Sequence, residues 1–237
     1  MNNVRTVSDT KRAFYSTHTR PINSIYRRVV EELMVEMHLL SVNADFRYDP
    51  IYALGIVTAF ERFMQGYRPD HDKVSIFNAL CQSIGDDPQT YRQDFERLRS
   101  EVSGLSLDNL MGQLKQSENS ESGGLTEQFQ AIAQNPKFKY SRLFAIGLYS
   151  LLELVDADLV KDEKRRNDAL QQVGAVLNLP DEKVQKDLEL YRSNLEKVAQ
   201  AQIVMEDILK ADRKKKEERE KAKGAVATPP SNSQEST

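Results

Sequence analysis

A chain of 237 residues, 29% charged and 39% apolar, is long enough to bury a sizeable core and ordinary for a helical protein in water. A formal net charge of −3 argues against a general nucleic-acid-binding surface, and a single cysteine, Cys81, excludes an internal disulfide and points to a reducing compartment. Ten glycines, eight prolines and long uninterrupted stretches between them favour helix over sheet.

Residues 1–7 read as a disordered N-terminus. Met1 to Thr10 has no apolar run of the kind a secretory leader needs and is too short for an amphipathic transit peptide. Ser8 or Asp9 is then expected to cap a short helix carrying Ala13, Phe14 and Tyr15, which His18 to Pro21 breaks. Ile22, Tyr26, Val29, Leu33, Met37 and Leu40 recur at helical spacing, and Val30, Met34 and Leu39 widen their stripe. Such a helix should meet neighbours on more than one side. Asn43 to Asp49 is a turn whose Phe46 and Tyr48 should fold back onto the core. Ile51 to Met64 is apolar almost all round, with Pro50 suited to its first turn and Gly66 to its C-terminal cap. These two helices are the candidate core.

Asp70 or Asp72 should cap a helix through Val74, Phe77, Leu80, Cys81 and Ile84, and Gly85 to Pro88 should stop it and start another carrying Tyr91, Phe95, Leu98 and Val102. A shorter helix from Leu105 to Leu114 has Ser106 as its cap. Residues 116–124 contain no apolar side chain and end in two glycines, so they read as a flexible loop inside one helical body, residues 8–180. Leu125 to Gln134 is a short helix around Phe129 and Ile132. Tyr140 to Asp156 is apolar on most sides and should be the other fully buried helix, and Asp158 to Asn178 is amphipathic.

Pro180 opens the last element, with Asp181 and Glu182 facing the helix dipole. Val184, Leu188, Tyr191, Leu195, Val198, Gln202, Met205 and Leu209 step by four and three, a coiled-coil-like stripe that suits core packing or a homodimer seam. A helix through Lys223 would be about 65 Å long at roughly 1.5 Å per residue. A body of this size has a radius of gyration near ~16 Å, so the end of the helix is expected to project. Residues 210–223 carry eight basic and four acidic side chains, and residues 224–237 read as a disordered tail. The fold expected is all-α: an irregular multi-helix globular body with one long, projecting C-terminal helix.

No catalytic grouping emerges. His18, His38 and His71 lie in different segments, and Glu36-x-His38 has the wrong interval for a di-iron bundle and no second copy. Phosphate loops, dinucleotide turns and nucleophile elbows are absent from the sequence, so neither an enzyme nor a cofactor or metal site is expected. The longest apolar run, Leu143 to Leu152, is well short of the roughly 18 residues of a membrane span, so the protein reads as soluble and any membrane association as peripheral.

Arg20, Arg27, Arg28, Arg47, Arg62 and Arg68 crowd the two most apolar helices, within reach of Glu31, Glu32, Asp45, Asp49 and Glu61. One reading makes them ion pairs closing the edges of the core. The other makes them a docking surface, because arginine is favoured where carboxylates are held bidentately. Lys210, Arg213 and Lys214 begin the basic cluster of the last helix and are candidates for partner contact. That cluster is too short and too interleaved with glutamate for strong lipid attraction.

Three stretches, THTRPINSIYRRVVEELMVEMHLL, FRYDPIYALGIVTAFERFMQGYRP and KFKYSRLFAIGLYSLLEL, resemble in order the thylakoid formation protein family of oxygenic phototrophs. The resemblance runs from about Val4 to the end of the long helix. It implies a non-enzymatic accessory factor for photosystem II biogenesis or repair. The implied partner is an FtsH-type membrane protease complex, whose accumulation it promotes at the cytoplasmic face of the thylakoid. A homodimer is allowed but not required. A membrane-shaping protein, or a pigment-binding bundle with His38 as axial ligand, is the alternative.

Overall fold

The structure is a computed structural model that describes residues 5–116 and 123–226, with side chains through 115 and 220. The expectations of a disordered N-terminus, a flexible loop and a disordered tail fall largely on residues 1–4, 117–122 and 227–237, which lie outside the described residues. Among the described residues every regular element is a helix: α1 (Val7–Thr17), α2 (Ser24–Ser41), α3 (Pro50–Phe63), α4 (Asp72–Ile84), α5 (Pro88–Val102), α6 (Leu107–Gln116), α7 (Leu125–Ala133), α8 (Arg142–Val155), α9 (Glu163–Val176) and α10 (Asp181–Val226). The chain divides into two units, Met1–Leu195 and Glu196–Thr237.

The core of the first unit is the pair α3 and α8, the two helices with apolar residues on nearly every side. Ile51, Ala53, Leu54, Ile56 and Ala59 of α3 are fully buried, as is Ala145 of α8. Their approach is set by two glycines. A Cβ on Gly55 would lie 1.8 Å from the carbonyl oxygen of Leu143, and one on Gly147 would lie 1.9 Å from that of Ile51. The helices therefore touch backbone to backbone, and any side chain at either position would force them apart. Asp49 caps α3 by accepting a hydrogen bond from the Tyr52 amide at 2.8 Å, and Ser141 caps α8 through the Phe144 amide at 3.1 Å.

Around this pair α3 also meets α5, while α1 packs on α2 and α4. Phe46 and Tyr48 do fold back: their rings lie 5.0 and 6.2 Å from that of Tyr52, and Tyr48 also stacks edge-on with Tyr91 at 5.2 Å. Cys81 is a buried thiol that packing pushes up to about 12, so it behaves as a small apolar side chain.

Several local expectations need correction. α1 is capped by Thr6, not Ser8 or Asp9. Asp9 instead completes a capping box, its carboxylate accepting from the Thr6 amide at 3.1 Å. Neither Asp70 nor Asp72 caps α4: Asp72 lies inside the first turn, buried and paired with Arg20. Leu39 and Val74, assigned to apolar stripes, are 56% and 55% exposed. In α10 burial ends early. Val184, Leu188 and Tyr191 are buried, Leu195 and Val198 are half-buried, and Leu209 is 51% exposed.

Candidate functional site

The six arginines near the core do not converge on one surface. Arg62, late in α3, reaches Glu153 near the end of α8, with the Tyr191 hydroxyl beside it, so it ties α3 to α8 and α10. Arg20, in the stretch leading into α2, pairs with buried Asp72 and lies 2.7 Å from His71 Nε2. Arg28 donates to Glu32 one turn along the same helix at 3.1 Å. Arg47 donates to the carbonyls of Ala44 and Phe46 at 2.8 and 2.7 Å, closing its own loop. Arg27 and Arg68 are exposed and make no ion pair within 4.0 Å among the described residues. Arg27 lies close enough to Glu31 to help lower its carboxyl, although the Lys11 hydrogen bond is the main cause.

Two pairs bridging distant segments were not anticipated. Glu36 of α2 accepts from Arg142 at the start of α8 at 2.9 Å. Burial pushes the Glu36 carboxyl up and the arginine opposes that, with Asp187 and Glu32 adding repulsion. These side chains border a cavity of only about 20 Å³ beside Phe63 and Tyr191, which has room for little beyond a water molecule. The second is Tyr140, whose hydroxyl donates to Asp187 at 2.9 Å, while Lys183 sits 5.4 Å over its ring. The first pair ties α2 to α8, and the contacts of Tyr140 fasten the first turns of α10 to the body.

The histidines stay apart. His38 is buried with Nδ1 2.8 Å from the Thr10 hydroxyl, and His18 is buried with Nδ1 2.9 Å from that of Ser75. Burial lowers the pKa of both, so both are neutral at pH 7. Among the described residues no group of three or more His, Cys, Asp or Glu side chains is placed to hold a metal ion.

In the second unit the helix presents charged and apolar side chains alike to solvent. Lys210 pairs with Glu206 at 3.0 Å, while Arg213 and Lys214 are exposed. Ile203, Val204 and Ile208 are 62%, 57% and 56% exposed. No described helix is long and apolar enough to cross a membrane.

Comparison with known proteins gives the arrangement a family. Residues 6–220 match the family model described as Thylakoid formation protein. The chain belongs to the thylakoid formation protein family. It is 62% identical to Protein Thf1 of Nostoc punctiforme over 235 residues, covering 99% of this chain and 100% of that one. It is also 54% identical to Protein Thf1 of Acaryochloris marina, over 97% and 93% of the two chains. A solved structure of Psb29 at 1.55 Å superposes with a TM-score of 0.79 at 45% identity, covering 90% of this chain and 98% of that one. Membership assigns an accessory role in thylakoid formation, related to photosystem II.

For this thylakoid formation protein, the sequence reading put Glu32 among the carboxylates within reach of the arginines, and the Arg28–Glu32 pair is local, i to i+4. It missed Glu153 for Arg62 and Asp72 for Arg20, which are 91 and 52 residues away. A signal did exist: Arg142 and Glu153 are the charges bounding an otherwise apolar helix, and a charge at the edge of a buried helix needs a partner.

Proposed function

We propose that the chain is a non-enzymatic accessory protein in photosystem II biogenesis or repair. It binds an FtsH-type membrane protease complex at the cytoplasmic face of the thylakoid and promotes that complex's accumulation. Family membership supports the accessory role. The partner reading is carried by one observation: Ile203, Val204, Ile208 and Leu209 are all more than half exposed on the second part of α10. Val204 and Ile208, one turn apart, share a face of the helix, and Ile203 and Leu209 lie on either side of it. An exposed patch of this kind, flanked by charge, suits a partner's surface.

Lys210, Arg213 and Lys214 follow the patch directly and would meet carboxylates at its edge. Of the six arginines near the core, Arg27 and Arg68 make no ion pair among the described residues and are available for contact, whereas Arg62 is engaged inside the fold. A lipid surface is the weaker reading, because residues 210–223 interleave four acidic with eight basic side chains.

The test is an affinity pull-down from solubilised thylakoids with the full chain and with a chain ending at Gln202, identified by mass spectrometry. The full chain is expected to recover the protease subunits, and the shortened one to lose most of them. Recovery that ignores the truncation would contradict the role given to the patch. Flotation of either protein with anionic liposomes at moderate salt would favour membrane shaping instead.

A further inference from the structure

A groove of about 530 Å³ opens on the first unit between α3, α4 and α5. Its apolar lining comes from all three helices: Val57 and Phe60 of α3, Val74 and Phe77 of α4, and Phe95 of α5. Phe60 and Phe77 meet edge to face at 5.1 Å and form a buried floor. Val74 is 55% exposed, although it occupies a position in the apolar stripe of its helix. An apolar side chain on that stripe, facing a groove that none of the described side chains fills, is a reason to ask what else does.

The charges on the rim are not balanced internally. Lys73 is held by Asp70 at 2.7 Å. Arg92 is held by Asn78 at 2.9 Å and lies 4.9 Å over the Phe77 ring. Glu61 of α3 and Glu96 of α5 line the groove as well, are exposed, and take no ion pair within 4.0 Å or hydrogen bond among the described residues. Burial raises the Glu61 carboxyl first and the neighbouring Glu96 charge raises it further, while Arg99, Arg62 and Arg92 oppose the rise from a distance. Glu61 and Glu96 are thus the carboxylates of the lining without a close partner among the described residues.

We infer that this groove docks a partner-protein segment that carries arginine or lysine between apolar side chains, the cation meeting Glu61 and Glu96 and the apolar groups covering Val74 and Phe95. A helix laid into a groove between helices is a recurring form of peptide recognition. Removing two like charges from mutual repulsion gives such a segment an electrostatic gain as well as an apolar one. Neither Arg27, Arg68 nor any residue of α10 lines the groove, so the inference stands independently of the protease-binding proposal.

The test uses the full ¹⁵N-labelled chain titrated with a short synthetic peptide of leucine, phenylalanine and arginine, and with a second peptide in which glutamate replaces each arginine. Amide shifts are expected to gather on α3, α4 and α5 with the arginine peptide and to be absent with the glutamate one. The exposed pair Glu61→Gln and Glu96→Gln should keep the melting midpoint and weaken binding about tenfold or more, and Val74→Asp should weaken it as well. Shifts elsewhere, binding of both peptides alike, or an unchanged affinity in the double variant would overturn the assignment. So would a second copy in the groove, seen as dimerisation that Val74→Asp abolishes.

Discussion

The crossing of α3 and α8 and the second part of α10 are both helical and both carry apolar side chains, yet they differ in what those side chains touch. At the crossing, Ile51, Leu54 and Ala145 are fully buried and the backbones meet at Gly55 and Gly147. Beyond Glu196, Ile203, Val204, Ile208 and Leu209 face solvent. The first region gains its stability from burial and tolerates almost no change of volume. The second gains nothing from its apolar groups within the chain, so their presence is better explained by a partner than by folding. Hydrophobic content alone does not separate a core from an interface. Burial does.

The largest effect that could break this contrast is expected at the glycines. Gly55→Ala and Gly147→Ala should each destabilise by more than about 4 kcal/mol, beyond the roughly 1–3 of ordinary overpacking, because the obstacle is a backbone carbonyl with no rotamer to adopt. The helix propensity gained, about 1 kcal/mol, is too small to compensate. Chemical denaturation measures both, and a change under 1 kcal/mol would mean the helices can separate freely. Leu33→Ala and Phe60→Ala, truncating side chains only 5% exposed, should cost roughly 2–5 kcal/mol by the same measurement.

Asp49 tests the cap that starts α3. Burial holds its carboxyl up at about 7. Between about pH 4 and that value the unfolded chain ionises Asp49 while the folded chain keeps the proton. Unfolding then releases a proton, and this residue's contribution to stability declines as pH rises. His18 and His38, lowered by burial, act in the opposite sense, their contribution declining as pH falls through about 6.5. The informative quantity is therefore the difference between the natural chain and Asp49→Asn, which keeps the cap and cannot ionise. The variant should gain relative stability from pH 5 to pH 8, and a constant difference would exclude the raised carboxyl.

Along α10 the expected effect depends on position. Leu195→Asp with Val198→Asp should cost only roughly 1–2 kcal/mol, since both positions are half-buried. The same change at Leu188 and Tyr191, 4% and 2% exposed, should prevent folding, because it places two charges in the core without partners. Melting curves on both pairs locate where the body's hold on the helix ends.

Much of this division could be read from the residues. The apolar periodicity of α2, α3 and α8 marks the core, and Pro50, Pro88 and Pro180 mark starts of helices, because local geometry and burial both act through neighbours in sequence. The stripe from Val184 to Leu209 could not be divided that way. Its spacing is uniform, whereas its burial stops after Tyr191, and only the tertiary neighbours decide that. Val74 illustrates the same limit, since its position in the α4 stripe predicts burial and the α3–α4–α5 groove leaves it open. The glycines at the crossing were visible as residues, but the carbonyl each one faces was not. The ion pairs across distant segments were hidden for the same reason.

The central claim is that the apolar side chains of the second part of α10 serve binding and not folding. It is tested most directly by the affinity of the purified membrane protease complex for the chain carrying Val204→Asp and Ile208→Asp. With the melting midpoint unchanged, a loss of binding of about tenfold or more is predicted, equivalent to about 1.4 kcal/mol or more. Full-strength binding by this folded variant would contradict the account.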